Sequence, residues 1–524
     1  MAGYSFSKDD IKQIRDHGLT LEEVERQLEL FEMPPSYLRL YRPCIAGDGI
    51  TVIDEKRGHT LKEIFEQEAP KRACLKFVPA SGAATRMFKT LLHYQAQGKG
   101  VLREAVLGEA QAGQKDAVEL VNFMEGIRNF AFFDELASTM REKGYNLDEL
   151  IERGQFTEVI DFVLTEKGLN YSNQPKGLLK FHYYPEGSRT AFEEHLVEAA
   201  NYVADQNGSS ALHLTVSEEH LEEFQYLFEK LKRLYEDKYK LRFAVSFPIQ
   251  KEATDTLAVD LDNRPFRQRD GRLLFRPGGH GALIENLNDL EGDILFIKNI
   301  DNVVPDRLKP ETYKWKKILG GYLISIQRRA FNYMERLESA DSGDRVLDEA
   351  MAFLKEDLFQ PVPVSMERAS HKTKKAFLVK QLDRPIRVCG MVRNVDEPGG
   401  GPFWAKERSG EISRQIVETA QIDPDSQEQQ AILGSSTHFN PVDLVCGVRD
   451  WKGRAFDLRK FVDPRAVFIT RKSKDGKDLK ALEHPGLWNG AMAGWITLFV
   501  EVPRITFNPV KTINDLLRKE HQPG

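Results

Sequence analysis

Cysteine is scarce and scattered. Cys44, Cys74, Cys389 and Cys446 are the only four in 524 residues, and no two form a Cys-x-x-Cys pair. That spacing excludes a disulfide scaffold, argues against a zinc ribbon or thioredoxin motif, and points to a reducing compartment. Long apolar runs are missing too. The longest uncharged one, 491–500, falls far short of the roughly 20 residues that span a bilayer, so no membrane partner is expected. Lys8, Asp9 and Asp10 precede any apolar run, which is unlike a signal peptide; a cytoplasmic location is the expectation. There is no excess of positive charge either. Lysine and arginine number 74 against 80 acids, a net charge of -6, so nothing global marks a nucleic-acid binder. His-Glu-x-x-His, Gly-x-Ser-x-Gly and a Gly-x-Gly-x-x-Gly after a strand are absent. No internal repeat is visible, and nothing specifies an oligomer.

What is present is an ordinary globular composition, 41% hydrophobic and 29% charged, which rules out wholesale disorder. Helices are predicted over 9–15 and 20–31, the second opened by a Thr20/Glu23 capping box and stopped by Pro34-Pro35. The apolar run 73–78 reads as a buried strand and 85–94 as the helix after it. Residues 100–170 are helix-rich, with Leu120, Phe123, Met124 and Ile127 at helical spacing. Further on, 190–204 and 218–235 read as helices, 211–216, 242–247 and 294–297 as strands, and 311–354 as one long helical stretch. This alternation predicts an α/β sheet. After Pro361 short strands (386–392, 444–448, 467–470, 496–500) are separated by glycine and proline, including the loop 398–402. The expected division is a helical segment 1–70, an α/β core 71–360 and a strand-rich part 361–524 that completes the site.

Four segments carry candidate chemistry. Ser81-Gly82-Ala83-Ala84-Thr85-Arg86-Met87 follows a predicted strand and opens a predicted helix. Small residues there let backbone N–H groups approach a phosphate. Arg86 in a first helical turn opposes the dipole, no acid occurs between Ser81 and Lys89, and a bound anion would remove the conflict. A plain small-residue turn with Ser81 or Thr85 as N-cap is the blander account. The segment is not a P-loop, because no glycine precedes Lys89. Second, Pro175 fixes the chain before Lys176, a point charge for phosphate, and Gly177 permits close approach; taken alone, a surface turn with solvated lysines is the favoured account. Third, Pro277-Gly278-Gly279-His280-Gly281 would let backbone press against a flat base, or is simply a tight turn. Fourth, Asn299-Ile300-Asp301-Asn302 lies at the carboxyl end of a predicted strand, where α/β sheets bind ligands. Asp301 there suits Mg²⁺, which takes one or two carboxylates plus substrate phosphates; an Asx turn is the alternative. Asp260 and Asp262 form a carboxylate pair before Asn263-Arg264-Pro265, and read as a hairpin turn.

Taken in order, the four segments resemble the sugar nucleotidyltransferases, and most the UDP-sugar pyrophosphorylase branch. Residues 81–87 resemble that superfamily's Gly-Gly-x-Gly-Thr-Arg-Leu/Met fingerprint, with Ser81 and Ala84 in place of its first and third glycines. Pro175-Lys176 resembles its Pro-Lys, 277–281 its uridine-side loop, and 299–302 its Asn-x-Asp-Asn metal motif. The match runs from about 73 to 305. Beyond it, 415–418 is similar to the glutamate-ended strand near the sugar, and 439–443 supplies a further acid. The chain as a whole also resembles a bacterial family described only as a domain of unknown function.

The resemblance implies a GT-A/Rossmann-like mixed sheet and Mg²⁺-dependent synthesis of a nucleotide-sugar from a nucleoside triphosphate, UTP favoured, and a sugar phosphate. It implies Arg86 and Lys176 as catalytic cations. Ser81, Gly82, Ala83, Ala84, Thr85, Gly278, Gly279, His280 and Gly281 would bind nucleotide, Glu418 and Asn440 sugar, and Asp301 and Asp443 metal. Arg86 and Lys176 stand 90 positions apart, which makes the helical segment 95–172 an insertion: a lid, a specificity element or an interaction surface. Two other readings stay open: a GT-A glycosyltransferase using Asp260 and Asp262, and a non-catalytic nucleotide or sugar-phosphate sensor.

Overall fold

The computed structural model describes residues 4–34, 37–82, 84–98, 100–339, 343–395, 400–406 and 410–524. Two compact units interleave along the chain. One comprises Met1–Phe77, Gln250–Ile297 and Lys316–Arg504, the other Val78–Ile249, Lys298–Trp315 and Ile505–Gly524. The predicted segments followed chain order; the units do not, because strands distant in sequence pair.

In the first unit Ile294–Lys298 pairs parallel with Cys74–Pro79, from Ile294 opposite Cys74 to Ile297 opposite Phe77. Ile386–Arg393 lies between Asp443–Gly447, antiparallel, and Ile496–Glu501, parallel. Gly49–Thr51 adds to the far side of Ile496–Glu501. The sheet is therefore mixed, as expected. Its central strands are buried on both faces, which is why 74–78, 294–298 and 496–500 read as nearly continuous apolar runs instead of alternating. Arg39–Pro43, Gly401–Lys406 and Ile412–Val417 form a separate antiparallel sheet. Helices Lys8–Asp16 and Leu21–Glu32 pack Ile14 and Val24 against Leu257 and Leu273. The Thr20/Glu23 capping box is present. The predicted stretch 311–354 is two helices, Lys309–Glu338 and Asp344–Glu356. Residues 398 and 399 of the predicted loop lie outside the described residues.

The second unit holds the parallel pair Ser209–Thr215 and Arg242–Ser246, the helices Ala191–Tyr202 and Leu221–Tyr239, and the predicted helical insertion. The insertion runs through Arg103–Gln111, Lys115–Glu125, Phe133–Glu142, Leu147–Glu152 and Phe156–Leu164. Its Leu120, Phe123 and Phe162 share one core with Val78, Leu212 and Phe192. The insertion is thus built into the unit. Among the described residues, no helix is long and apolar enough to cross a membrane.

Candidate functional site

The second unit begins with Val78 and Pro79, the last residues of the strand Cys74–Pro79, and Ala80 N–H then bonds Thr215 O at 2.9 Å. The chain turns at Ser81-Gly82. A Cβ on Gly82 would meet nothing within 4 Å, so the space beside this turn is open. Ala83 lies outside the described residues. Ala84 is fully buried, and its N–H donates to Gln174 O at 3.3 Å. That tertiary bond pulls Ala84–Arg86 into a 3₁₀ turn, and the α-helix begins only at Lys89, without a side-chain cap. Thr85 and Arg86 therefore precede the helix, and neither Ser81 nor Thr85 is its N-cap. Arg86 is thus outside the first helical turn, and no conflict with the helix dipole calls for an anion there. What stays is geometry: Thr85 and Arg86 are exposed beside an open turn.

The Gln174 bond also sets this turn beside the lysine. Pro175 holds extended backbone (φ -72°, ψ 149°), and Lys176–Leu178 follows as a 3₁₀ turn. Gly177 is needed because a Cβ would lie 2.7 Å from the Phe224 ring. Lys176 Nζ donates to Asp301 Oδ2 at 2.8 Å and to Val510 O at 2.7 Å. Both side chains of the ion pair keep some exposure, 16% and 18%. Asp301 is held from behind by its own carbonyl, which accepts Val510 N–H at 3.1 Å. Asn302 is buried; its Oδ1 accepts Asn508 N–H at 2.9 Å. Ile513 N–H donates to Met87 O at 3.1 Å. Three segments chosen from the sequence, 81–87, 174–177 and 299–302, therefore converge, and a fourth, 508–513, ties them together. That fourth segment escaped the sequence reading. Its only local signal is the turn-forming pair Asn508-Pro509.

The remaining candidates belong to the first unit. Gly278, Gly279 and Gly281 are crowded by the protein's own chain. A Cβ on Gly281 would lie 2.2 Å from Pro485 O, one on Gly278 2.5 Å from Thr254 O, and one on Gly279 2.9 Å from Glu483. The close approach expected for a flat base is here taken by segment 483–485. His280 stacks on Trp488 with centroids 4.4 Å apart and 15° between planes, and its Nδ1 accepts Leu487 N–H at 3.0 Å. Desolvation lowers its pKa to about 4. Glu418, at the end of Ile412–Val417, comes within 4.0 Å of His280 Nε2; burial raises its pKa, against a bond from Trp488. The structure thus brings His280 and Glu418 together. Asn440 is buried and its Oδ1 accepts Val442 N–H at 3.2 Å, holding a turn. Asp443 is buried against Lys316, which already compensates its charge. Asp260 Oδ1 accepts the N–H groups of Asp262 and Arg264, both at 2.9 Å, so this pair is a hairpin turn as read.

Among the described residues no group of three or more histidine, cysteine, aspartate or glutamate side chains is arranged to hold a metal. Asp301 still fits Mg²⁺: the ion keeps several waters and takes substrate phosphates, so one partly exposed carboxylate beside an open turn suffices. Asp443, buried in its own ion pair, does not offer the same.

The chain belongs to the family described as a domain of unknown function (DUF4301), whose model matches residues 7–522. No curated protein matches it. Similar solved structures include the uridine diphosphate N-acetylglucosamine pyrophosphorylase from Trypanosoma brucei, at 13% identity and TM-score 0.47, covering 98% of this chain and 79% of that one. A UDP-glucose pyrophosphorylase from Leishmania major in complex with UDP-glucose is similar at 13% identity and TM-score 0.44, covering 98% and 79%. A UDP-glucose phosphorylase from Trypanosoma brucei is similar at 12% identity and TM-score 0.44, covering 98% and 80%.

Proposed function

We propose that the protein is a sugar-1-phosphate nucleotidyltransferase, with UTP the favoured nucleotide. The observation that carries this reading is the convergence in the second unit: the open Ser81-Gly82 turn, exposed Arg86, and Lys176 on Asp301. In such a transfer a sugar-phosphate oxygen attacks the α-phosphorus of the triphosphate. The new P–O bond forms as the bond to pyrophosphate breaks, and pyrophosphate leaves with its electron pair. The nucleophile is a phosphate whose second pKa is about 6, so it is mostly ionised at pH 7 and needs no general base. The demand is for cations and donors that offset charge in an in-line displacement. The backbone N–H groups of Ser81, Gly82 and Thr85 face the phosphates in this reading, since that of Ala84 is spent on Gln174 O; Arg86 caps them, and Lys176 exchanges Asp301 for a phosphate oxygen. Asp301 would hold Mg²⁺, which supplies Lewis-acid neutralisation of phosphate charge. Assignment of Gly278, Gly279, His280 and Gly281 to uridine, and of Glu418 and Asn440 to sugar, rests on the resemblance alone.

The sensor reading has one observation in its favour: Lys176 already has two partners, Asp301 and the Val510 carbonyl. The glycosyltransferase reading has none, since Asp260 is spent on a turn. Calorimetric titration with UTP and other nucleoside triphosphates, with and without Mg²⁺, combined with a pyrophosphate-release assay in the presence of a panel of sugar 1-phosphates as acceptors, tests all three. Mg²⁺-dependent UTP binding with pyrophosphate release supports the transferase. Binding without release supports the sensor. No binding of any triphosphate ends the proposal. Asp301→Asn is expected to abolish the Mg²⁺ dependence and leave the melting temperature within a few degrees; an unchanged dependence would move the metal elsewhere.

A further inference from the structure

The second unit buries a cluster of ionisable groups that the transfer reaction does not use. Glu194, on the largely buried helix Ala191–Tyr202, is fully inaccessible. Its Oε1 accepts Tyr184 O–H at 2.7 Å and lies 2.8 Å from His182 Nδ1. Its Oε2 contacts Lys309 and lies 3.6 Å from Arg189, which also pairs with Asp306 at 2.8 Å. Burial alone would raise the Glu194 carboxyl, but Lys309, His182 and Arg189 hold it well below the usual range. His182 Nε2 then meets His521 Nδ1 at 3.0 Å, with the rings stacked 13° from parallel. Both histidines are 2% exposed or less.

This chain of atoms is hydrogen-bonded throughout with both histidines neutral. A carboxylate accepts only, so His182 Nδ1 carries hydrogen and donates to Glu194. A neutral His182 leaves Nε2 as the acceptor, and His521 Nδ1–H donates to it. A proton added to His182 would force His521 into its other tautomer, with Nδ1 accepting, and would set a buried charge beside Lys309 and Arg189 as well as Glu194. A proton added to His521 would create a buried charge whose charged neighbours are Arg307 and Arg518. Both pKa values are lowered by burial, that of His521 to about 2.

His521 anchors segment 505–524, which reaches the candidate site. The same segment supplies the Val510 carbonyl to Lys176, and its Ile513 N–H bonds the end of the 81–87 turn. Arg307 Nη2 clasps the segment at Gln522 O, 3.1 Å. We propose that His521 is a positioning residue for Lys176: paired with His182, it seats segment 505–524 against the site, and protonation of the pair releases the segment.

The sign follows from linkage. The seated form excludes protons that a released histidine takes up near its ordinary pKa of about 6.5. Seating is therefore complete above that pH and is lost progressively as pH falls below it. The released-to-seated ratio rises by up to about tenfold per pH unit for each histidine protonated.

The functional meaning rests on Lys176 as the phosphate lysine, but the device can be tested without nucleotide. Hydrogen exchange at the Val510 and Ile513 amides, corrected for intrinsic rate, is compared at pH 7.5 and 5.5 on the full chain. Acetylation of Lys176, relative to exposed Lys12, is mapped by mass spectrometry in the same samples. Exchange and labelling are both expected to rise about tenfold or more at pH 5.5 in the parent. In His521→Gln only His182 can still titrate, so that pH dependence should shrink, and in the His182→Gln/His521→Gln double variant it should vanish, whether the variant seats or not. Parent exchange that is equal at the two pH values, or a His521→Gln profile matching the parent, overturns the proposal. A protein that binds no UTP yet shows the pH step would lose its transferase assignment and keep this device.

Discussion

The molecule contains two turns of small residues, one with a single glycine and one with three, that differ in what surrounds them. At Gly82 the direction a side chain would take is open. At Gly278, Gly279 and Gly281 it is filled by residues 254 and 483–485. The first glycine leaves room for something that is not protein. The others let two parts of the protein touch. A glycine motif therefore reports close approach, and only the neighbours say whether the approaching group is a ligand or the chain itself.

Substitution separates the two cases. Gly281→Val should have the largest effect, because its Cβ would lie 2.2 Å from a backbone carbonyl that cannot swing away. A loss of about 2–4 kcal/mol is expected in denaturant unfolding. A loss below about 1 kcal/mol would mean that segment 483–485 yields readily. Next comes Arg86→Glu. Exposed and outside the helix, it should leave unfolding within about 0.5 kcal/mol of the parent. UTP affinity should fall by at least about 1.5–3 kcal/mol, the contribution of a charge-assisted bond before repulsion is counted. Parental affinity in this variant would remove the turn from the phosphate site. Gly82→Ala inverts the Gly281 result. Its φ is not in the left-handed region, and fewer unfolded conformers should raise stability by about 0.4–1 kcal/mol, while the added methyl weakens UTP binding. Tighter binding would place the ligand elsewhere. The smallest effect is expected for Glu418→Gln. A carboxyl raised by burial favours the fold at low pH, and that contribution is lost as pH rises through the folded value. The glutamine variant should be slightly more stable than the parent at pH 7, and the gain should disappear near pH 4; a gain that persists there would point to packing.

Much of the local structure was legible because its causes are local. Thr20 and Glu23 form the capping box that their spacing announces. The run at 74–78, apolar but for Lys76, has the nearly continuous character of a strand buried on both faces. Lys176 and Asp301, 125 positions apart, each stand in an ordered motif, but their ion pair was not foreseen; nothing in either segment alone requires it. Elsewhere distant partners decided the outcome. The predicted helix start at 85 moved to Lys89 because Ala84 N–H finds Gln174. Asn440 looked like a ligand residue and serves the turn at Val442. Val510 offers only a backbone carbonyl, which side-chain identity cannot advertise. The histidine pair at 182 and 521 joins residues 339 positions apart with no motif at either.

The interleaving of the units bears on how the chain is made. It passes between them after Phe77, Ile249, Ile297, Trp315 and Arg504. Emerging from the ribosome, residues 78–249 hold most of the second unit's core, yet Val303, Val510 and Ile513 of that core arrive much later. The first unit waits for 496–501 to flank its strand 386–393. Neither unit can therefore finish before the other is largely synthesised, and both must tolerate exposed apolar surface in the interval. Contacts so distant in sequence carry a high loop-closure cost before they yield stability, so refolding from denaturant should be slow and dependent on chaperones at cellular concentrations.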